Sequence, residues 1–286
     1  MRQLVGVHGV GNFRAGETAA DAAERLTKAW RTYLARGALD QRVDEFEVSV
    51  AYYAGHLAPK GAQGTDDVPL EHLDPAVEEL VRAWIDEFDL PDEQAQGLGT
   101  WPLRQAIGWI AERRRLAPDL VEKFVSRFFP EVAAYLPPAE AASKARNAAR
   151  AAVEQEIRER RPHVVVAHSL GSVVAYEALW AQPDIEIDLL VTLGSPLALP
   201  HAVFPRLAPP ARDELGQKPP SVRRWVNIAD PGDLVAIPAG GISRRFRLVD
   251  LDVGDAIHAF DFHLAANYLA CRKLADVLAE SLSDGT

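Results

Sequence analysis

Six short runs rich in β-branched residues, most of them separated by helical patterns, constrain this chain more than any other feature of its sequence. They read "QLVGVHG" (3–9), "FEVSVAYYA" (46–54), "HVVVAHS" (163–169), "IDLLVTLGS" (187–195), "VRRWVNIAD" (222–230) and "RRFRLVDLDV" (244–253). Short apolar runs of this kind read as buried strands. Between the first two, "GETAADAAERLTKAWRTYLARG" carries apolar residues at three- and four-residue spacing and stops at Gly37. "GSVVAYEALWAQ" reads as a helix after the third strand, and "HLAANYLACRKLADVLAESL" as a closing helix. Strands alternating with helices call for right-handed crossovers, so the expected fold class is α/β with a doubly wound, mostly parallel sheet.

The alternation breaks between about residues 60 and 160. A turn-rich "APKGAQGTDDVP" is followed only by helical patterns, including "DPAVEELVRAWIDEF", "PLRQAIGWIAERRRL", "PDLVEKFVSRFF" and "AEAASKARNAARAAVEQEIRERR". Residues 60–159 therefore read as a helical cap or lid inserted into a core made of residues 1–59 and 160–286. The last of these helices, the crossover into the third strand, belongs with the sheet layer. A length of 286 residues suits one large α/β domain with an insert, and 48% hydrophobic residues supply its core. A net charge of −10 argues against a nucleic-acid partner, whose phosphates attract clustered Lys and Arg. The single cysteine, Cys271, cannot form an internal disulfide. The N-terminal "MRQLVGVHGVGNF" is too short in apolar residues for a signal peptide, and no stretch approaches the ~20 a membrane span needs. The expectation is a cytoplasmic protein with no transmembrane segment.

The chemistry centres on "VVVAHSLGSVVAYEAL". A serine between a strand and a helix stands on a sharp turn with its Oγ clear of both, the nucleophile-elbow arrangement G-x-S-x-G. Here Ser169 takes the serine position, Gly171 the second glycine and Ala167 replaces the first. The pentapeptide alone leaves an ordinary serine helix cap as an equal alternative. Attack on a carbonyl also needs donors for the oxyanion, and "VHGVGNF" after the first strand offers glycine-rich backbone for them. The N–H of Val10, following His8 and Gly9, pairs in this reading with that of Leu170. A dinucleotide fingerprint would need a third glycine where Arg14 stands, and there is no P-loop.

An acid and then a histidine should follow the serine. "WVNIADPGDLVAIP" offers Asp230 and Asp233; Asp230 before Pro231 suits a turn, whereas Asp233 has apolar neighbours. "GDAIHAFDFHLAANYL" offers His263, at the start of the last helix, with His258 as the alternative. His8 and His168 flank the proposed site; His56, His72, His163 and His201 read as turn or surface residues. No cluster has zinc-type spacing, so neither a metal nor a cofactor is expected.

In that order, "HGVG", "VVVAHSLGSVVAYEAL", "LVTLGSPL", "VNIADPGDLVAIP" and "HLAANYL" resemble the α/β-hydrolase superfamily. Its lipases and esterases are the most similar, including the lecithin–cholesterol acyltransferase-like and class 3 lipase-like branches. The resemblance covers residues 1–56 and 160–280. It implies that "TLGSPL", with Ser195, lies beside the site. It also implies that "DLVAIP" carries the catalytic aspartate at Asp233, and that His263 and Leu269 belong to the pattern around the catalytic histidine. The implied activity is hydrolysis of a carboxylic ester, thioester or lipid through a Ser–His–Asp triad and an acyl-enzyme. Acyl transfer or cyclisation on the same triad, and a non-catalytic binding protein on the same scaffold, are the alternatives. The insert's Trp84, Phe88, Trp101, Trp109, Phe124, Phe128, Phe129 and Tyr135 suit a small-molecule or lipid-like acyl substrate, although most of them read as core between cap and body.

Overall fold

A computed structural model describes residues 1–37, 39–58, 69–88, 103–137, 143–237, 240–257 and 263–283. Its centre is a six-stranded sheet of β1 (Arg2–Val7), β2 (Phe46–Ala51), β3 (Val164–His168), β4 (Ile187–Leu193), β6 (Val222–Ala229) and β8 (Leu251–Gly254). The spatial order is β2-β1-β3-β4-β6-β8, and every neighbouring pair is parallel. A pair of two-residue strands, β5 (Gly216–Gln217) and β7 (Phe246–Arg247), forms a separate small ladder. The fold is thus α/β with a parallel sheet, as the alternating pattern implies.

Side-chain alternation along each strand feeds two cores. Val5, Val7, Val165 and Ala167 enter one core, and Leu4, Val164 and Val166 enter the other. The second core is closed by Leu26, Trp30 and Leu34 of α1 (Ala19–Arg36) and by Leu274, Val277 and Leu278 of α9 (Arg272–Ser283). The first holds α6 (Leu170–Trp180) and α5 (Lys144–Arg160), together with the insert helices α2 (Pro75–Ile85), α3 (Leu103–Arg114) and α4 (Pro118–Tyr135). Each fully buried Val or Leu adds on the order of 1.5–3 kcal/mol relative to exposure. The insert helices therefore share one continuous apolar core with a face of the sheet. Trp84 of α2 also donates its Nε1–H to the carbonyl of Leu234 at 2.7 Å, tying the insert to the loop after β6. Among the described residues no helix is long and apolar enough to cross a membrane.

Two readings of the sequence change. "RRFRLVDLDV" is not one strand: it comprises the end of α7 (Gly241–Arg245), then β7, a turn at Leu248 with φ +65°, and β8. The closing helix is two helices, α8 (Ala265–Ala270) and α9, because Cys271 between them is extended at φ −70°, ψ 146°.

The sheet order has one consequence for function. The chain runs from β1 outward to β2, then returns to place β3 on the other side of β1. Loops leaving β1 and β3 at their carboxyl ends therefore part in opposite directions and leave a crevice, the usual ligand position in open α/β sheets.

Candidate active site

Ser169 stands at that crevice, between β3 and α6. Its backbone has φ +56° and ψ −134°, a region that non-glycine residues rarely occupy. Such a conformation costs on the order of 1–3 kcal/mol and persists only where the surroundings enforce it. Here the Ser169 N–H donates to the Leu193 carbonyl at 2.9 Å, and Ser172 N–H donates to the Ser169 carbonyl at 2.9 Å. Gly171 lets the helix close on β1: a Cβ there would lie 2.2 Å from the His8 carbonyl oxygen. Ser169 occupies the N-cap position of α6, yet its side chain makes no capping bond.

Its hydroxyl faces His263 instead. The Ser169 Oγ and His263 Nε2 are 2.6 Å apart, and His263 Nδ1 lies 2.8 Å from Asp233 Oδ2. An imidazole that donates from Nδ1 to the carboxylate accepts the serine O–H at Nε2, so one tautomer satisfies both contacts. Asp233 also accepts from the Tyr268 hydroxyl at 2.7 Å and from Val235 N–H at 2.8 Å. Burial, with Asp233 beside it, holds the Tyr268 phenol far above its usual pKa, so it remains a donor. Asp230 lies elsewhere in the same loop. Its carboxylate accepts from Gly232 N–H at 2.7 Å and Ile257 N–H at 2.8 Å, and its own N–H donates to the Tyr268 oxygen at 2.9 Å. His258 falls outside the described residues, as does Trp101.

The loop after β1 completes the group. A Cβ built on Gly9 would stand 2.7 Å from Ser169 Cβ, so Gly9 lies against the serine, and Val10 lines the same cavity. His8 is buried and fixed at both ring nitrogens: Nδ1 is 2.7 Å from the Gly9 carbonyl, and Tyr53 N–H donates to Nε2 at 3.2 Å. Burial lowers the His8 pKa to about 4, which keeps the ring neutral and suited to this pairing. Neither the Val10 nor the Leu170 N–H has a hydrogen-bond partner among the described residues. Leu170 also opens α6, where the helix dipole favours negative charge. His168, buried beside His263 with ring centroids 4.9 Å apart, is held well below its usual pKa, chiefly by burial. Ser195 sits behind the serine turn, with its Oγ 2.7 Å from Ser172 Oγ.

A cavity of about 670 Å³ opens over Ser169. His8, Val10, His168 and His263 line it, while Phe124 and Phe128 of α4 stand edge-on to His263 at 6.2 and 6.0 Å. Trp84, Phe128, Phe129 and Tyr135 are buried, whereas Trp109 and Phe124 are partly so. Two contributors make contacts that the chain's local pattern does not show. Tyr268 lies within "HLAANYL" but reaches Asp233 only through the tertiary fold. Glu131 of α4 accepts the Gly11 N–H at 2.7 Å, joining the insert to the loop after β1. Among the described residues no group of His, Cys, Asp and Glu could hold a metal ion.

Comparison with protein-family profiles, curated proteins and solved structures gave no match to this chain. Any functional reading therefore rests on the site's own geometry and on the motif resemblance.

Proposed function

We propose that this protein is a serine hydrolase of the α/β-hydrolase kind, cleaving a carboxylic ester, thioester or lipid. The observation that carries the reading is the hydrogen-bonded chain from Asp233 through His263 to Ser169, at 2.8 and 2.6 Å, ending on a serine in a strained turn. A structural serine cap would need no such chain.

In this reading Ser169 Oγ bonds to the substrate's carbonyl carbon while its proton passes to His263 Nε2, and Asp233 holds the imidazolium that forms. The carbonyl oxygen becomes an oxyanion facing the Val10 and Leu170 N–H groups; such a donor is worth about 3–4 kcal/mol in the transition state. Collapse breaks the bond to the leaving oxygen or sulfur, which takes the proton from His263. Water then attacks the acyl-enzyme, gives a proton to His263, and releases the acid as Ser169 is reprotonated.

A fluorophosphonate probe tests the nucleophile. Wild-type protein should be labelled and Ser169→Ala should not, with p-nitrophenyl ester hydrolysis lost in parallel. Undiminished labelling of Ser169→Ala would remove Ser169 from the reaction.

A further inference from the structure

The cavity over Ser169 has a lining of two kinds. Leu26, Ala29 and Trp30 of α1, with Leu120, Phe124 and Phe128 of α4, make an apolar wall. Arg14, Arg25, Lys123 and Arg127 also line it, and no Asp or Glu does among the described residues. That is the reverse of the chain as a whole, in which 41 acidic residues outnumber 31 basic ones.

The cations differ in what they already hold. Arg25 is engaged: its guanidinium pairs with Glu17 through two 2.8 Å contacts and donates to the Asn12 carbonyl at 3.3 Å. Arg14 and Lys123 are exposed and have no ion pair among the described residues. Lys123 and Arg127 stand one turn apart on α4, where like charges repel by roughly 0.2–0.5 kcal/mol. Glu131, the next acid along that helix, turns one carboxylate oxygen to the Gly11 N–H. Arg14 approaches from a different element, the loop that carries Val10. Positive charge thus enters the lining of this cavity from two segments, in the same space as the apolar wall and Ser169. An uncharged fatty acyl chain would use the wall and make no use of Arg14 and Lys123. A ligand with an apolar spacer and a terminal anion would use both, and the positive field would raise its encounter rate.

We infer that this cavity selects esters whose acyl or alkyl part ends in an anionic group, a carboxylate or a phosphate, separated from the reacting carbonyl by a short apolar spacer. This rests on Ser169 being the nucleophile, and it goes further by naming the substrate class.

The test compares two six-carbon acyl groups, p-nitrophenyl hexanoate and the mono-p-nitrophenyl ester of adipic acid. The adipate half-ester should have the higher kcat/KM, by about tenfold, the amount that two exposed charge contacts can supply. The ratio should fall with added salt. It should fall towards one in the Arg14→Gln/Lys123→Gln double variant, and drop further in Lys123→Glu. A second arm uses Ser169→Ala, which does not depend on turnover. Calorimetry with hexyl phosphate, hexanoate and 1-hexanol should show the anions binding and the alcohol binding weakly, and the stronger anion identifies which group the site takes. If wild-type protein is labelled by the probe but hydrolyses hexanoate as well as or better than adipate, the anionic selection is overturned and the serine reading stands. If labelling and hydrolysis are absent while the anions still bind in preference to the alcohol, the serine reading fails and the anionic site stands. Equal binding of all three ligands overturns the anionic site.

Discussion

At the scale of single residues, the loop after β6 separates two aspartates by what they hold. Asp233 reaches His263, Tyr268 and Val235, whereas Asp230 secures the backbone of Gly232 and Ile257. The two Asn substitutions should therefore fail in different ways. Asp233→Asn should lower kcat by about 10³–10⁴-fold, because the amide no longer holds the tautomer that accepts the serine proton. Asp230→Asn should keep kcat within about tenfold and lower the melting temperature instead, since an amide replaces a buried acceptor of two backbone N–H groups. Steady-state kinetics beside thermal unfolding reads both, and a reversed pattern would exchange the roles. The sequence favours Asp233 because Pro231 marks Asp230 as a turn residue and apolar neighbours mark Asp233 for burial. Tyr268 is illegible at this scale: a tyrosine on a short helix shows no local sign that its hydroxyl bridges both aspartates.

Elements are legible where their pattern is local and lost where it is interrupted without punctuation. β3 and α6 stand out because an apolar run passes through His168–Ser169 into a helix buried on nearly every face. The break between α8 and α9 carries no Gly or Pro; apolar spacing continues through Cys271, so one helix is the natural reading. Leu248 likewise turns the chain at positive φ without a glycine to announce it. The insert's attachment is also non-local. Glu177 of α6, fully buried, accepts from Tyr135 of α4 at 2.8 Å and from Arg146 Nε of α5 at 2.9 Å, and Arg146 also donates to the Arg206 carbonyl at 2.8 Å. Ala208 N–H donates to the same carboxylate at 3.0 Å. Three helices thus meet on one acid, about two turns along α6 from the serine. Glu177→Ala leaves the half-buried Arg146 guanidinium and the buried Tyr135 hydroxyl without their acceptor and should destabilise the fold by about 2–3 kcal/mol. Equilibrium urea unfolding measures this; a change below 1 kcal/mol would show that the network has little hold on the insert.

For the whole molecule, the loop from His8 to Gly11 sits between two groups whose titrations oppose each other. Burial depresses His8 from 6.5 to about 4 and raises Glu131 from 4.5 to about 7; the Glu131 Oε2 is buried without a hydrogen-bond partner among the described residues. Between pH 4 and 6.5 the unfolded chain binds the His8 proton and the native state does not, so this group makes stability rise with pH; the gain is complete above 6.5 and lost as pH falls through the interval. Between pH 4.5 and 7 the native state keeps the Glu131 proton that the unfolded chain has released, so this group makes stability fall as pH rises. The His8 displacement corresponds to about 3 kcal/mol, and the opposing Glu131 displacement offsets much of it where the intervals overlap. Single substitutions should expose the hidden slopes. Relative to wild type, Glu131→Gln should gain stability steadily from pH 4.5 to 7, and His8→Asn should lose it from pH 4 to 6.5. Urea unfolding at half-unit pH steps gives both differences, and curves parallel to wild type in both variants would mean that neither group is held away from its ordinary titration.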